Sequence, residues 1–210
     1  MGIDVSLVRG LDVVVLTESG RVSYGPVKAN TKGIPAVLKD ANPDVVAIDS
    51  PPQWGTNGKS RLIETQLRKV GINIYSCPEN PGNRPFYAWM EEGFKVFDAA
   101  FGEGFDRYRG GPITGRQAIE VFPHASGVSL RGSLPAKGNL KLNWRREVLN
   151  NAGVQADALK TVDEIDAGLA ALTGIRFLQG GFSYVGEPGD AVLVLPIRPM
   201  VTVRYRRDPN

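Results

Sequence analysis

Apolar residues along the chain alternate between the two-residue period of a strand and the three-to-four-residue period of a helix, with Gly and Pro at the changes. Residues 2–7 and 11–17 (LDVVVLT) predict two strands; Ser19-Gly20 marks a turn, and 21–24 continue the meander as a third. Residues 33–41 predict a short helix. Residues 44–49 (DVVAID) form an apolar strand suited to burial on both faces, stopped by Ser50-Pro51-Pro52. After a loop at 53–57, residues 59–70 have helical spacing, with Leu62, Leu67 and Val70 near one face and Gly71 at the end. Residues 72–75 predict another strand, 76–86 a loop able to serve as a lid, and 87–101 a helix anchored by Trp89, Met90, Phe94, Phe97 and Phe101. The Gly-rich stretch 102–116 reads as loop, 118–122 (AIEVF) as a strand ended by Pro123, and 125–131, 140–152 and 162–177 as helices. Ala191–Leu195 (AVLVL) is a late strand. The order βββ-α-β-α-β-α-β-α-α predicts an α/β fold, one sheet with helices around it.

Composition narrows the chemistry more than the fold. The 210 residues suit one domain over 1–210, with loop insertions at about 76–116 and a short basic tail carrying Arg204, Arg206 and Arg207. No apolar run approaches the roughly 20 residues of a membrane span, and the first residues lack the basic-then-apolar order of a signal peptide. A cytoplasmic protein with no membrane partner is expected. The single Cys77 excludes an intramolecular disulfide and a Cys-cluster zinc site, and the single His124 excludes a metal site built on several imidazoles. Net charge is only +3, but it is unevenly spread. Residues 107–146 carry eight basic side chains and one acid, Glu120, whereas 147–190 carry seven acids and two bases. A basic block of this kind can follow a phosphate backbone or simply be a solvated surface.

Acidic residues avoid apolar interiors, and four elements break that rule. Asp4 lies inside GIDVSL, Asp49 ends DVVAID, Glu120 lies in AIEVF, and Asp163 and Asp166 share one face of a helix just before AGLAALTG. Strand ends in an α/β sheet bring distant residues to one edge, and acids at i and i+3 of a helix can be presented to it. Crowded carboxylates must be neutralised by protons or by a cation, and oxygen ligands suit Mg²⁺ or Mn²⁺. Two such ions can clamp an in-line phosphoryl transfer. Each acid also has an ordinary reading: Asp49 as a strand-end turn residue, Asp163 as a helix cap, Asp166 as compensation of the helix dipole, and Glu120 as the partner of an arginine.

The stretches GIDVS (2–6), AIDSPPQWG (47–55), SRLIETQLR (60–68), AIEVFPHAS (118–126), VDEIDAGLAALTG (162–174) and VLVLP (192–196) span most of the chain. Together they resemble a family of predicted ribonuclease H-like nucleases known as a domain of unknown function, itself distantly similar to Holliday-junction resolvases. The resemblance implies a ribonuclease H-like mixed five-stranded sheet flanked by helices, with an antiparallel first hairpin. It implies catalytic carboxylates at Asp4, Asp49, Glu120, Asp163 and Asp166, with Asp4, Asp49 and Asp166 (or Asp163) as metal ligands. It also implies a Mg²⁺ or Mn²⁺ cofactor, a nucleic-acid partner, DNA or RNA, and hydrolysis of a phosphodiester.

Other side chains carry two readings each. Arg61 and Glu64 open the helix at 59–70, either as a surface pair or with Arg61 clamping substrate phosphate while Glu64 orients it. Arg116 belongs to the basic block as a substrate contact. His124, four residues after Glu120, is a general acid or phosphate contact, or else packs near the following helix. Ser126 beside His124 lacks the G-x-S-x-G elbow of a hydrolase triad, and Gly110, Gly111 and Gly115 do not make a P-loop. Trp54, Trp89 and Trp144 stack nucleobases or fill the core, and Cys77 is a passive thiol. The competing functions are a noncatalytic nucleic-acid or protein-binding module, marked by salt-sensitive binding without turnover, and a nucleotide phosphotransferase. The latter needs a second lobe and glycine-rich phosphate turns, for which 210 residues leave little room.

Overall fold

The computed structural model of the protein describes residues 1–56, 58–199 and 202–208. Asn57, at the end of the expected loop, and Met200, Val201, Pro209 and Asn210 of the tail lie outside the described residues. The strands are β1 (Gly2–Ser6), β2 (Gly10–Leu16), β3 (Val22–Ala29), β4 (Val45–Asp49), β5 (Asp106–Arg107), β6 (Gln117–Glu120), β7 (Ser183–Glu187) and β8 (Ala191–Leu195). The helices are α1 (Ile34–Ala41), α2 (Leu62–Lys69), α3 (Ala88–Gly102), α4 (Pro123–Arg131), α5 (Lys141–Asn151) and α6 (Val162–Leu178).

All eight strands join one sheet, ordered β3-β2-β1-β4-β6-β8-β7, with β5 pairing the first half of β6. The β1–β2–β3 meander and the β7–β8 hairpin are antiparallel, while β1, β4, β6 and β8 run parallel. The expected α/β class and antiparallel first hairpin are therefore present, but the sheet has eight strands rather than five.

Against the seven strands that the sequence pattern predicts, three segments differ, two gained and one lost. Residues 183–187 were not expected as a strand, because Gly186 breaks the apolar pattern; Gly186 nonetheless pairs with Val192 in the hairpin. The stretch 102–116 contains the two-residue β5, too short to leave a period in the sequence. Residues 72–75, expected as a strand, join no ladder among the described residues: the Ile72 backbone N–H donates to Leu67 O, and Arg68 Nη2 donates to Ile74 O at 2.9 Å. Tying that segment to α2 removes its backbone groups from any ladder.

The period-two alternation of the central strands sends side chains to two different layers. Ile3, Leu11, Val13, Val46, Ile48 and Ala118 face α1 and α3, in one core with Ile34, Leu38, Val96, Phe97 and Ala100. On the other face, Val45, Ala47, Ile119, Val192 and Val194 share a core with Ala170 and Phe177 of α6. Helices α4 and α5 pack outside α6. Across the β7–β8 hairpin, Ile63 and Leu67 of α2 join Val185, Leu193 and Leu195.

The small residues of α6 let it lie against β1. A Cβ on Gly2 would fall 2.0 Å from Ala167 O and 2.3 Å from the Ala171 backbone N. No other residue fits between strand and helix there without moving one of them.

Candidate metal centre

Register, rather than sequence proximity, assembles the acids. Asp4 pairs with Asp12 across the β1–β2 hairpin and with Asp49 across the parallel β1–β4 ladder. Paired residues point to the same side of a sheet, so Asp12, Asp4 and Asp49 form a row over three strands, on the face that α6 covers. Helix α6 is started by a capping box: Thr161 Oγ1 accepts from the Glu164 backbone N–H at 3.1 Å, and Glu164 Oε2 accepts from the Thr161 backbone N–H at 3.2 Å. The cap is therefore Thr161, which leaves Asp163 and Asp166 free to reach down from the first turns. Carboxylate oxygens of Asp4, Asp12 and Asp163 lie within 4.8 Å of one another.

Three basic groups partly neutralise the five aspartates. Arg145 of α5 pairs with Asp166, Arg9 Nε sits 3.1 Å from Asp163, and Lys28 Nζ pairs with Asp12. Among the described residues, Asp4 and Asp49 have no such cation. Burial, together with the charges of Asp166, Asp163 and Asp12, pushes the Asp4 carboxyl up to about 8. Burial and the adjacent Asp4 hold Asp49 well above the usual carboxylate range. Burial raises Asp166 to about 6 against the opposing pull of Arg145, and it raises Asp12 in spite of Lys28. Asp166 Oδ1 is buried and accepts no hydrogen bond from the described residues. These are the marks of a cluster short of positive charge.

Glu120 does not join this row. It pairs with Ile48, one residue out of phase with Asp49, and so turns to the opposite face of the sheet. There Arg61 grips it, with Nη1 donating to Oε2 at 2.8 Å and Nη2 to Oε1 at 2.6 Å. Arg61 Nε and Nη2 also donate to Glu64 Oε1 at 2.9 and 2.7 Å, and the Arg61 backbone N–H donates to Glu64 Oε2 at 2.6 Å. Burial alone would lower the Arg61 pKa, but the Glu120 and Glu64 carboxylates outweigh it and raise it. Arg61 and Glu64 are thus a buried pair rather than a surface one.

The remaining candidates separate. Arg116 lies at the far end of β6, donating to Pro43 O at 3.0 Å and covering the Phe105 ring at 4.1 Å, and it does not line the cavity beside the acids. Its side chain closes the N-terminal edge of the strand, whereas the site stands at the C-terminal edge. His124 does line the cavity, where burial, Arg145, Lys141 and Arg207 lower its pKa to about 4 and favour the neutral ring. Trp144 is buried in the core with α4 and α6, and Trp54 packs edge-on against Phe94. Trp89 alone of the three lines the cavity. Burial pushes the Cys77 thiol up to about 12, which keeps it inert.

The cavity measures about 680 Å³, and Glu120 with Arg61 reaches it from one face of the sheet and Asp4, Asp49, Asp163 and Asp166 from the other. It lies at the carboxyl ends of the parallel strands, where such sheets place their ligands. The matching family model, described as "Protein of unknown function (DUF429)", covers residues 2–190. The chain belongs to the DUF429 family. No curated protein and no solved structure matches it.

The sequence of this DUF429 member left Asp12 and Arg145 unassigned. Asp12 carries the same signal as Asp4, a lone acid in an apolar strand (LDVVVL), and the antiparallel hairpin sets the two opposite each other. Arg145 is buried at the centre of α5, an anomaly that calls for a carboxylate partner, yet nothing in its local pattern names Asp166.

Proposed function

We propose that this DUF429 protein is a divalent-metal-dependent phosphodiesterase of the ribonuclease H-like kind, acting on nucleic acid. The carrying observation is the convergence of Asp4, Asp49, Asp163 and Asp166 on one cavity, with Asp12 behind it, beside Asp4 and Asp163; among the described residues Asp4 and Asp49 have no cation partner and one buried oxygen of Asp166 has no hydrogen-bond partner. The strand order β3-β2-β1-β4-β6 and its antiparallel start support the ribonuclease H-like assignment.

The donor set fits a hard cation. It is all carboxylate oxygen, it is crowded, and it lies too deep to be neutralised by water alone. Asp4, Asp12 and Asp163 would hold one Mg²⁺ or Mn²⁺, and Asp49 and Asp166 would offer oxygens to a second beside it. When bound, such ions supply an activated water and charge stabilisation of the phosphoryl oxygens. The chain's own residues do the rest. Asp4 and Asp49, whose carboxyls burial raises, would bind the ions as carboxylates. Arg145 holds Asp166 in place by its ion pair. Arg9 and Lys141, exposed at the rim of the cavity, attract and position the substrate phosphates. Neutral His124 can accept a hydrogen bond from a water or a substrate hydroxyl.

The test combines calorimetric Mn²⁺ titration with incubation of labelled single-stranded, duplex and junction substrates in Mg²⁺ and Mn²⁺. The reading expects Mn²⁺ binding that disappears in Asp4→Asn and metal-dependent cleavage of at least one substrate. Absence of both in the folded protein would sink it.

A further inference from the structure

The cavity has a second lining that the aspartates do not use. Tyr75 is 65% exposed and Phe86 49% exposed, and their rings meet edge to face at 4.9 Å between centroids. Both line the same cavity as Asp4, Asp49, Asp163 and Asp166, as does Trp89 at the start of α3. Facing apolar groups come from the β1–β2 turn, where Leu7 is 53% and Val8 91% exposed. Large apolar side chains left in water beside a charged site cost stability unless something covers them. The lips are basic rather than acidic: Arg9 follows Val8, and Lys141 begins α5.

A patch that is aromatic, partly solvated and adjacent to exposed cations is complementary to a nucleobase with its phosphate. In a duplex the faces of the bases are already stacked and out of reach of side chains, and only an unpaired or splayed base can lie on a ring. We infer that Tyr75, Phe86 and Trp89 form a stacking platform for an unpaired base next to the reacting phosphate, so that the site takes single-stranded nucleic acid in preference to duplex. This inference rests on the metal-dependent phosphodiesterase reading, whose cavity it shares. It adds a substrate class that the carboxylates alone do not select.

Binding is read by fluorescence anisotropy with a labelled oligothymidylate, the matching duplex, and thymidine 5′-monophosphate as competitor, in Ca²⁺ and again in EDTA. Gels confirm that the strand stays intact. Because Tyr75 and Phe86 are substantially exposed, Tyr75→Ala/Phe86→Ala should fold as the parent does, which circular dichroism checks. The expected result is single-strand binding that exceeds duplex binding and falls roughly tenfold or more in the double variant. Quenching of Trp89 fluorescence by the strand should be absent in Trp89→Phe. Equal affinity of parent and double variant, equal affinity for strand and duplex, no binding of any nucleic acid, or a mononucleotide as tight as the strand would each overturn the platform. The metal reading fails separately: if Asp4→Asn binds the strand like the parent in both buffers and the parent never cleaves it, the platform stands and the phosphodiesterase does not.

Discussion

Two groups of buried carboxylates lie beside one cavity on opposite faces of the sheet, Glu120 reaching it from one and Asp4, Asp49, Asp163 and Asp166 from the other, and they differ in how they are satisfied. Glu64 and Glu120 share the single guanidinium of Arg61, whose donors reach their oxygens at 2.6–2.9 Å. The five aspartates on the α6 side have three cations between them. Of these Arg9 is 67% and Lys28 54% exposed, and only Arg145 is buried. The first group is closed in its hydrogen bonding: every carboxylate oxygen accepts a bond from Arg61, although two acids share one cation and burial raises Glu120. The second is open, with its central member Asp4 raised to about 8. Burial of acids and a shortage of cations mark both as unusual; what marks the second as a site is that, among the described residues, Asp4 and Asp49 have no cation partner and Asp166 Oδ1 no hydrogen bond.

The comparison can be broken most forcefully at Arg61. Arg61→Ala strands two buried carboxylates and is expected to cost ~3–5 kcal/mol in urea unfolding. Replacing the whole group by apolar residues (Arg61→Met, Glu64→Leu, Glu120→Leu) should recover most of that loss, with Mn²⁺ affinity of the folded protein unchanged. A triple variant as unstable as Arg61→Ala, or one that no longer binds Mn²⁺, would mean the group is not closed. On the other side, Asp4→Asn is expected to weaken Mn²⁺ binding by more than ~100-fold while raising the melting temperature of the metal-free protein at pH 8. A lower melting temperature would show that the aspartate row is already satisfied without a cation.

The pH dependence of stability sharpens the same contrast. Asp4 titrates at about 8 in the fold, against 3.8 ordinarily. Between these values the folded state holds a proton that the unfolded chain has released. This contribution is fully present below about pH 4 and is lost as pH rises through about 8. Asp166, at about 6, acts in the same direction over a narrower window. Metal-free protein should therefore lose up to ~1.4 kcal/mol per pH unit per group across that window, as measured by chemical denaturation from pH 5 to pH 8. Saturating Mn²⁺ should flatten the slope, and Mn²⁺ affinity should climb with pH as the protons leave. The smallest effect is expected at the rim. Arg9→Ala removes an exposed ion pair with Asp163 and should change stability by less than ~1 kcal/mol, while lowering oligonucleotide on-rates at low salt in stopped-flow measurements.

What could be read from the chain alone followed from local anomalies. Asp4 and Asp49 stood out because apolar residues flank them, and Asp163 and Asp166 because a small-residue helix follows. The faces could not be read. In DVVAID and AIEVF the acids look equivalent, yet the β4–β6 register offsets Glu120 from Asp49 by one residue and sends it to the opposite side of the sheet. That register is fixed by the long-range packing of Ile48 and Ala118 against α3 and of Ala47 and Ile119 against α6, which no short window contains. Asp12 was legible by the same rule as Asp4 but lacked meaning until the hairpin placed it opposite. Strand β5 is held by its neighbour rather than by its own composition, so its place in the sheet was not visible in the sequence.

The contact of Gly2 with Ala167 and Ala171 sets a gauge for the side chains around it. With α6 seated directly on β1, the gap between helix and sheet suits a carboxyl group on a single methylene, and every acid in that gap is an aspartate; the acids held on the α2 side are glutamates. Exchanging aspartate for glutamate here would conserve charge and acidity while adding a length that the strand–helix spacing has no room to absorb. The tolerance of this centre is therefore geometric before it is electrostatic, and it is written at a residue that carries no side chain.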